Sequence, residues 1–247
     1  MHGIATRVDT VSHDAALFAL NERAEAKLTR IGQRAIAVAR IDDVLCHAES
    51  VADLGFAQSY SGDRTNLYPG LRAAMPESFS SALRSWLPPI LQRNGMLEDG
   101  QVIQRDSSYF SVVTTPCRDL LPIQRIPHYD STDPKLLAIV IYLCDTPFGG
   151  TSFYRHRRTG YEEITEANRE NYQIALDHDM RLHGPPPREY MNGSNRLFET
   201  IFSNELRFNS AIVYPGRVLH AGNIERHFDA PQDKSGWRLT ITALLQT

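Results

Sequence analysis

From Gly100 onward this 247-residue chain is a succession of short β-prone runs parted by turn clusters. The runs fall at residues 101–105, 109–114, 121–126, 136–143, 151–154, 197–202, 207–214, 218–221 and 237–245. Short strands at such spacing predict an antiparallel sandwich or barrel. Leu136-Leu137-Ala138-Ile139-Val140-Ile141 is almost unbroken in apolar character, so that strand is expected to be buried on both faces. A polar helical pattern over residues 165–183, ended by Gly184-Pro185-Pro186-Pro187, interrupts the β-region. The interruption, taken as residues 155–204, is expected to be an insertion, either a lid carrying Tyr172, Tyr190 and Met191 or a packing or dimer element.

The first hundred residues have a different texture. Leu17, Leu20, Ala24 and Leu28 recur at helical spacing, which predicts a helix over 14–28 capped by Ser12 or Asp14. Residues 35–41 read as a strand, and Asp42-Asp43 as the cap of a helix running to residue 57. Residues 61–69 are turn-rich, and a helix over 78–87 is expected to stop at Pro88-Pro89. The whole chain, 1–247, is read as one domain: a helical and strand support region (1–100), then a β-core (101–247).

Within that core, Pro127-His128-Tyr129-Asp130 sets an imidazole and a carboxylate two residues apart. On a strand both side chains then project from one face. With a second histidine they would form a 2-His-1-carboxylate facial triad, which leaves coordination positions open for substrate and oxygen. His220 fits as the third ligand, because the turn at Pro215-Gly216 launches a short apolar strand ending in its imidazole. His156, His178, His183 and His227 lie in basic or polar stretches and read as solvated or hydrogen-bonded. Alternation along the last run puts Arg238, Thr240 and Thr242 on one face, and Leu239, Ile241, Ala243 and Leu245 on the other. An arginine on an inner face calls for an anion, and its fork suits a carboxylate held by two bonds. An exposed face with Arg238 at an edge is the equally weighted alternative.

Taken in order, His128-X-Asp130, the strand ending Ile141-Tyr142-Leu143, Phe148-Gly149-Gly150-Thr151-Ser152-Phe153, His220 and Arg238 resemble the Fe(II)/2-oxoglutarate-dependent dioxygenases, in particular their prolyl-4-hydroxylase-like branch. The resemblance covers about residues 100–247. It implies a double-stranded β-helix (jelly-roll, cupin-like) core with flanking helices, and iron held by His128, Asp130 and His220. It implies 2-oxoglutarate as cosubstrate with O2, its distal carboxylate paired with Arg238 and hydrogen-bonded by Tyr142. Thr240, on the same strand face as Arg238, is a geometric addition to that cosubstrate-binding group. The implied activity is hydroxylation of a small molecule or amino-acid side chain with release of succinate and CO2. A carboxylate at 130 favours hydroxylation over halogenation. A non-catalytic metal-binding or regulatory protein on the same fold, and a cupin-type metalloenzyme without 2-oxoglutarate, remain as alternatives.

Composition sets outer limits. A net charge of −3 argues against a nucleic-acid partner. No apolar run approaches the ~20 residues of a membrane span. No leader pattern is read at the N-terminus, and three scattered cysteines suggest buried thiols in a reducing cytoplasm. The resemblance implies a small-molecule or amino-acid substrate as the partner, with a homodimer as the other association considered. Arg155-His156-Arg157-Arg158 reads as a solvated face, with an anionic substrate as the rarer alternative.

Overall fold

A computed structural model of the chain describes residues 16–61, 67–145 and 148–247. Strands β1 (Ala26–Ile31) and β2 (Ile36–Ile41) form a hairpin, followed by helix α1 (Ala48–Ala57), strand β3 (Gly70–Ala74) and helix α2 (Glu77–Arg93). The core comprises β4 (Arg105–Val113), β5 (Leu136–Tyr142), β6 (Thr151–His156), β7 (Phe198–Asn204), β8 (Ser210–Pro215), β9 (His220–Gly222) and β10 (Arg238–Gln246). Helix α3 (Arg169–His183) stands between β6 and β7.

The large sheet runs β1-β2-β8-β5-β10-β4-β3 and the small one β7-β6-β9, with every pairing antiparallel. An isolated bridge between His128 and His220 adds a further rung beside β9. From β4 onward the chain passes from the large sheet to the His128 rung, back to β5, across to β6 and β7, back to β8, across to β9, and home to β10. That alternation between two facing antiparallel sheets is a double-stranded β-helix, as expected.

Hydrophobic patterning explains the layers. The outward residues Leu239, Ile241, Ala243 and Leu245 of β10 share a buried cluster with Val51 of α1 and Phe79, Leu83, Leu87 and Leu91 of α2. The support region therefore backs the large sheet. Between the sheets, Ala138, Tyr142, Phe153, Ile212 and Tyr214 form a separate cluster. Strand β5 is thus buried on both faces, which is why its sequence is continuously apolar.

Several expectations change. Ser12 and Asp14 lie outside the described residues, and the segment expected to close that helix is instead β1, paired with β2 in the register Thr29↔Val38. The tight connection from Gly32 to Ala35, both at positive φ (65° and 51°), makes the hairpin, and pairing overrides the helical spacing. Helix α2 does not stop at Pro88-Pro89 but continues to Arg93. Each interior proline costs about 3 kcal/mol. Burying Leu87, Ile90 and Leu91 returns about 1.5–3 kcal/mol apiece, enough to carry the helix through. The cap of α1 is His47 rather than Asp42 or Asp43. Among the other runs, 101–104 is not strand, and 121–126 contains a 3-10 turn, Pro122–Arg125.

The insertion is narrower than 155–204, since Arg155 belongs to β6 and Phe198–Asn204 is β7. Its helix packs Tyr172 and Leu176 against Tyr154, Phe198 and Leu219 on the outer side of the small sheet. Tyr190 is buried against Phe228, with its hydroxyl on the Thr115 carbonyl (2.6 Å). Tyr172, Tyr190 and Met191 are therefore packing residues, and the segment is a backing layer rather than a lid. The basic run is committed internally: Arg155 pairs with Glu162 and Glu199, and Arg158 with Asp179. Cys144 is buried but Cys46 is exposed, contrary to the expectation for all three thiols. No helix among the described residues is long and apolar enough to cross a membrane.

Candidate metal centre and its chamber

His128 and His220 are opposed across the small sheet and exchange both backbone hydrogen bonds, His128 N–H to His220 O (2.9 Å) and His220 N–H to His128 O (2.8 Å). This double bond between opposed residues holds their side chains on one face. The imidazole centroids are 4.2 Å apart. Two residues after His128, the Asp130 amide donates to the Gly216 carbonyl (2.6 Å), which brings its carboxylate to the same point. Asp130 Oδ1 lies 3.9 Å from His128 Nε2, and Oδ2 lies 3.7 Å from His220 Nε2. One ligand atom from each of the three falls within 4.8 Å of the others, the spacing of a mononuclear metal site.

The second atoms of the ligands are also accounted for. His220 Nδ1 sits 2.9 Å from the Val218 carbonyl, so the hydrogen-bond network assigns the proton to Nδ1 and leaves the Nε2 lone pair facing Asp130. Burial, then the neighbouring His220 and Arg72, push the His128 imidazole well below its ordinary pKa, so it is a neutral donor. Burial raises the Asp130 carboxyl, opposed by His220 and Arg72. Yet the His128 side chain keeps 53% of its accessible surface. Dense protein around an accessible imidazole marks a recess rather than a closed core. Two imidazole nitrogens and one carboxylate oxygen in an open recess suit a divalent iron-type ion.

Beyond the triad, the inner face of the large sheet carries the remaining predicted residues. Thr240 pairs directly with Tyr142 across β10 and β5. Tyr142 is fully buried, its hydroxyl on Thr151 Oγ1 (2.8 Å) and Asn204 Nδ2 (3.4 Å). Arg238 is 5% exposed and stands 5.7 Å from the Tyr142 ring. It is inner-facing, as one of the two readings of its strand expects. Its fork is not free, however: Nε and Nη2 donate to the Gly149 carbonyl (3.3 and 3.2 Å), and Nη2 also to Gly150 (3.0 Å). Nη1 is left as the donor for an anion, so a carboxylate bound by two bonds would have to displace the glycine carbonyls. Thr240 donates to the Ser111 carbonyl (3.3 Å), and Tyr68 lies beside it. The two glycines are required by proximity. A Cβ at Gly150 would stand 2.1 Å from the Asn204 carbonyl oxygen, and one at Gly149 2.5 Å from Asn223 Cβ.

Residues 22–245 match the model of a family of unknown function, DUF6445. The chain belongs to that family. No curated protein matches the sequence. Among solved structures, this DUF6445 member is similar to SnoK, a non-heme alpha-ketoglutarate-dependent carbocyclase from nogalamycin biosynthesis (16% identity over 86% of this chain and 80% of that one, TM-score 0.49). It is also similar to SnoN, a non-heme alpha-ketoglutarate-dependent epimerase of the same biosynthesis (13% identity, 97% and 83% covered, TM-score 0.47). A Pseudomonas putida prolyl-4-hydroxylase matches at 10% identity, with 87% and 95% covered and a TM-score of 0.46. At these values the chemistry of the DUF6445 chain rests on its own residues.

Sequence reasoning missed three chamber residues. Tyr214, on the inner face of β8, packs its ring 4.7 Å from that of His220. Burial pushes its phenol well above 10, Asp130 and Tyr142 push the same way, and Arg238 opposes. Tyr214 thus links the triad to the Tyr142–Arg238 group. Tyr68 and Arg72 come from the support region, before the part of the chain that carried the resemblance. Alternation along β8 could have flagged Tyr214; nothing local marks Tyr68.

Proposed function

We propose that this DUF6445 member is an Fe(II)- and 2-oxoglutarate-dependent oxygenase that hydroxylates a small molecule or an amino-acid side chain. The convergence of His128, Asp130 and His220 in an open recess carries the reading, supported by the buried Arg238 in the same chamber. Bound there, iron and the cosubstrate supply oxidative decarboxylation: 2-oxoglutarate and O2 give succinate and CO2, and one oxygen atom enters a substrate C–H bond.

The chain's own residues prepare this chemistry. The Val218 carbonyl fixes the His220 tautomer and ring orientation. A low-pKa His128 offers its lone pair without first losing a proton. Arg238 Nη1 supplies positive charge for the distal carboxylate, beside the Tyr142 hydroxyl. Phe153 and Tyr214 line the interior side of His220 and keep water from that side.

One observation favours a second reading. The glycine carbonyls already occupy most of the Arg238 fork, which would suit a metalloenzyme of the same fold that needs no cosubstrate. Anaerobic titration with Fe(II) and 2-oxoglutarate separates the two. A weak visible charge-transfer band and a cosubstrate-dependent rise in melting temperature are expected. Iron binding without either response would sink the oxygenase reading and leave the second.

A further inference from the structure

Among the described residues, Arg72 is the one cation of the chamber for which the oxygenase reading has no use. Strand β3 pairs with β4 so that Arg72 stands opposite Ser111, Ser111 stands opposite Thr240 on β10, and Thr240 opposite Tyr142 on β5. Residues directly opposite in an antiparallel ladder share a face, so Arg72 projects on the same inner side as the Tyr142–Thr240 pair. Its guanidinium carbon lies 4.5 Å from the centre of the Tyr68 ring and 5.5 Å from that of Tyr109. Its Nε is buried without an acceptor, and no carboxylate of the described residues pairs with it. Two tyrosine faces orient this half-buried group but leave its Nε without an acceptor, and a guanidinium held this way with no described carboxylate beside it is an unfinished site.

Two further observations say what finishes it. The ladder Arg72–Ser111–Thr240–Tyr142 sets the group on the inner face of the large sheet that also carries Arg238. Five residues before it lies Leu67, which with Leu121 and Ile123 makes a set of exposed apolar side chains (57%, 53% and 42%). Gln124 ties them together, donating to the Leu67 carbonyl (3.0 Å) and accepting from the Leu121 amide (2.8 Å). A cation on the inner face and exposed apolar side chains on the segments leading to it fit a molecule with a negative head and an apolar body.

We infer that Arg72 is the anchor for the oxidised substrate, and that this substrate is a carboxylic acid with an apolar body, its carboxylate held by the Arg72 fork between Tyr68 and Tyr109. The inference deepens the oxygenase reading and rests on it for the word substrate. Placement separates Arg72 from the Arg238 site: β3 is the edge strand, two strands from β10.

Protein saturated with Mn(II) and 2-oxoglutarate, titrated calorimetrically with benzoate and with its neutral counterpart benzamide, tests the assignment. Benzoate is expected to bind at least tenfold more tightly. Arg72→Gln is expected to abolish that preference, and Arg72→Lys to retain part of it, while Mn(II) and 2-oxoglutarate affinities stay within threefold. Equal or absent binding of the two probes would overturn the inference, as would a benzoate preference that survives in Arg72→Gln. A tenfold loss of 2-oxoglutarate affinity in Arg72→Gln would also overturn it, by assigning Arg72 to the cosubstrate. Failure of the wild-type protein to bind 2-oxoglutarate at all would instead strike the oxygenase reading. In that case a benzoate preference dependent on Arg72 would still establish the anion site.

Discussion

Glu162→Ala tests whether the wall behind the metal centre is held by one buried carboxylate. Glu162 is 1% exposed and sits where the β1–β2 turn meets the small sheet. Its Oε1 accepts from the Gln33 amide (2.9 Å) and from Arg155 Nε and Nη2 (2.8 and 2.6 Å), and its Oε2 from the Arg34 amide (3.1 Å). Its own carbonyl accepts from the Leu219 amide (2.9 Å), one residue before His220 of the candidate triad. Truncation leaves two amides and a largely buried guanidinium without that acceptor, and breaking a buried pair in this way costs about 3–5 kcal/mol. An exposed pair would cost about 0–1 kcal/mol, but Glu162 has no solvent to fall back on. For a chain of this size, at about 2–4 °C per kcal/mol, the melting temperature should drop by about 6–20 °C.

The pH dependence of that loss has a definite sign. Burial alone would raise the Glu162 pKa, but the two amides and Arg155 outweigh it, and folding lowers the pKa below 4.5. The native state therefore binds fewer protons than the unfolded chain in this range. The stabilisation is fully present above the unfolded value and fades as pH falls through the folded one. Thermal unfolding of wild type and Glu162→Ala at neutral pH and near pH 4 checks both claims. A drop below about 3 °C at neutral pH, or a gap that widens on acidification, would refute the reasoning.

Other perturbations probe the centre more directly. At a hundredfold excess over its dissociation constant, a native-state ligand stabilises by about 2.7 kcal/mol. Mn(II) should therefore raise the melting temperature by several degrees in wild type and not in Asp130→Ala or His220→Ala, both of which remain folded; an equal rise in the variants would remove them as ligands. Gly150→Ala forces a methyl group onto the Asn204 carbonyl and should lower both stability and 2-oxoglutarate affinity by displacing the Arg238 seat, whereas unchanged calorimetric binding would separate the hairpin from the anion site. Burial pushes the Cys144 thiol up to about 11 despite Arg238 nearby, so its alkylation at pH 8 should be far slower than that of exposed Cys46 and should climb with pH toward 11. Equal labelling rates followed by mass spectrometry would contradict that placement.

What the sequence discloses and what it hides divide along a physical line. His128, Asp130 and His220 were readable because a two-residue spacing and a short apolar strand are local properties, and folding needed only to bring them together. The inner face of β10 was readable for the same reason, since alternation survives any tertiary context. The hairpin at Gly32–Ala35 and the persistence of α2 through Pro88-Pro89 were not, because each depends on what the segment packs against. Arg238 shows the difference within one residue: its face follows from strand period, but its engagement by Gly149 and Gly150 depends on a hairpin 88 residues upstream. Arg72 was invisible as a chamber residue because register across β3, β4 and β10 delivers it there, and register is not written in any one strand.

The reciprocal main-chain bonds between His128 and His220 have one more consequence. A divalent ion arriving at this centre meets two imidazoles whose spacing has already been set by peptide groups during folding. Little ordering entropy remains to be lost on capture, so the ion can exchange without the sheet opening. Departure of the metal should accordingly leave amide exchange at residues 128 and 220 almost as slow as before. On the proposed function, the protein is expected to be emptied and reloaded with different divalent ions as a folded vessel, its grip on each decided by coordination chemistry rather than by the cost of assembling the site.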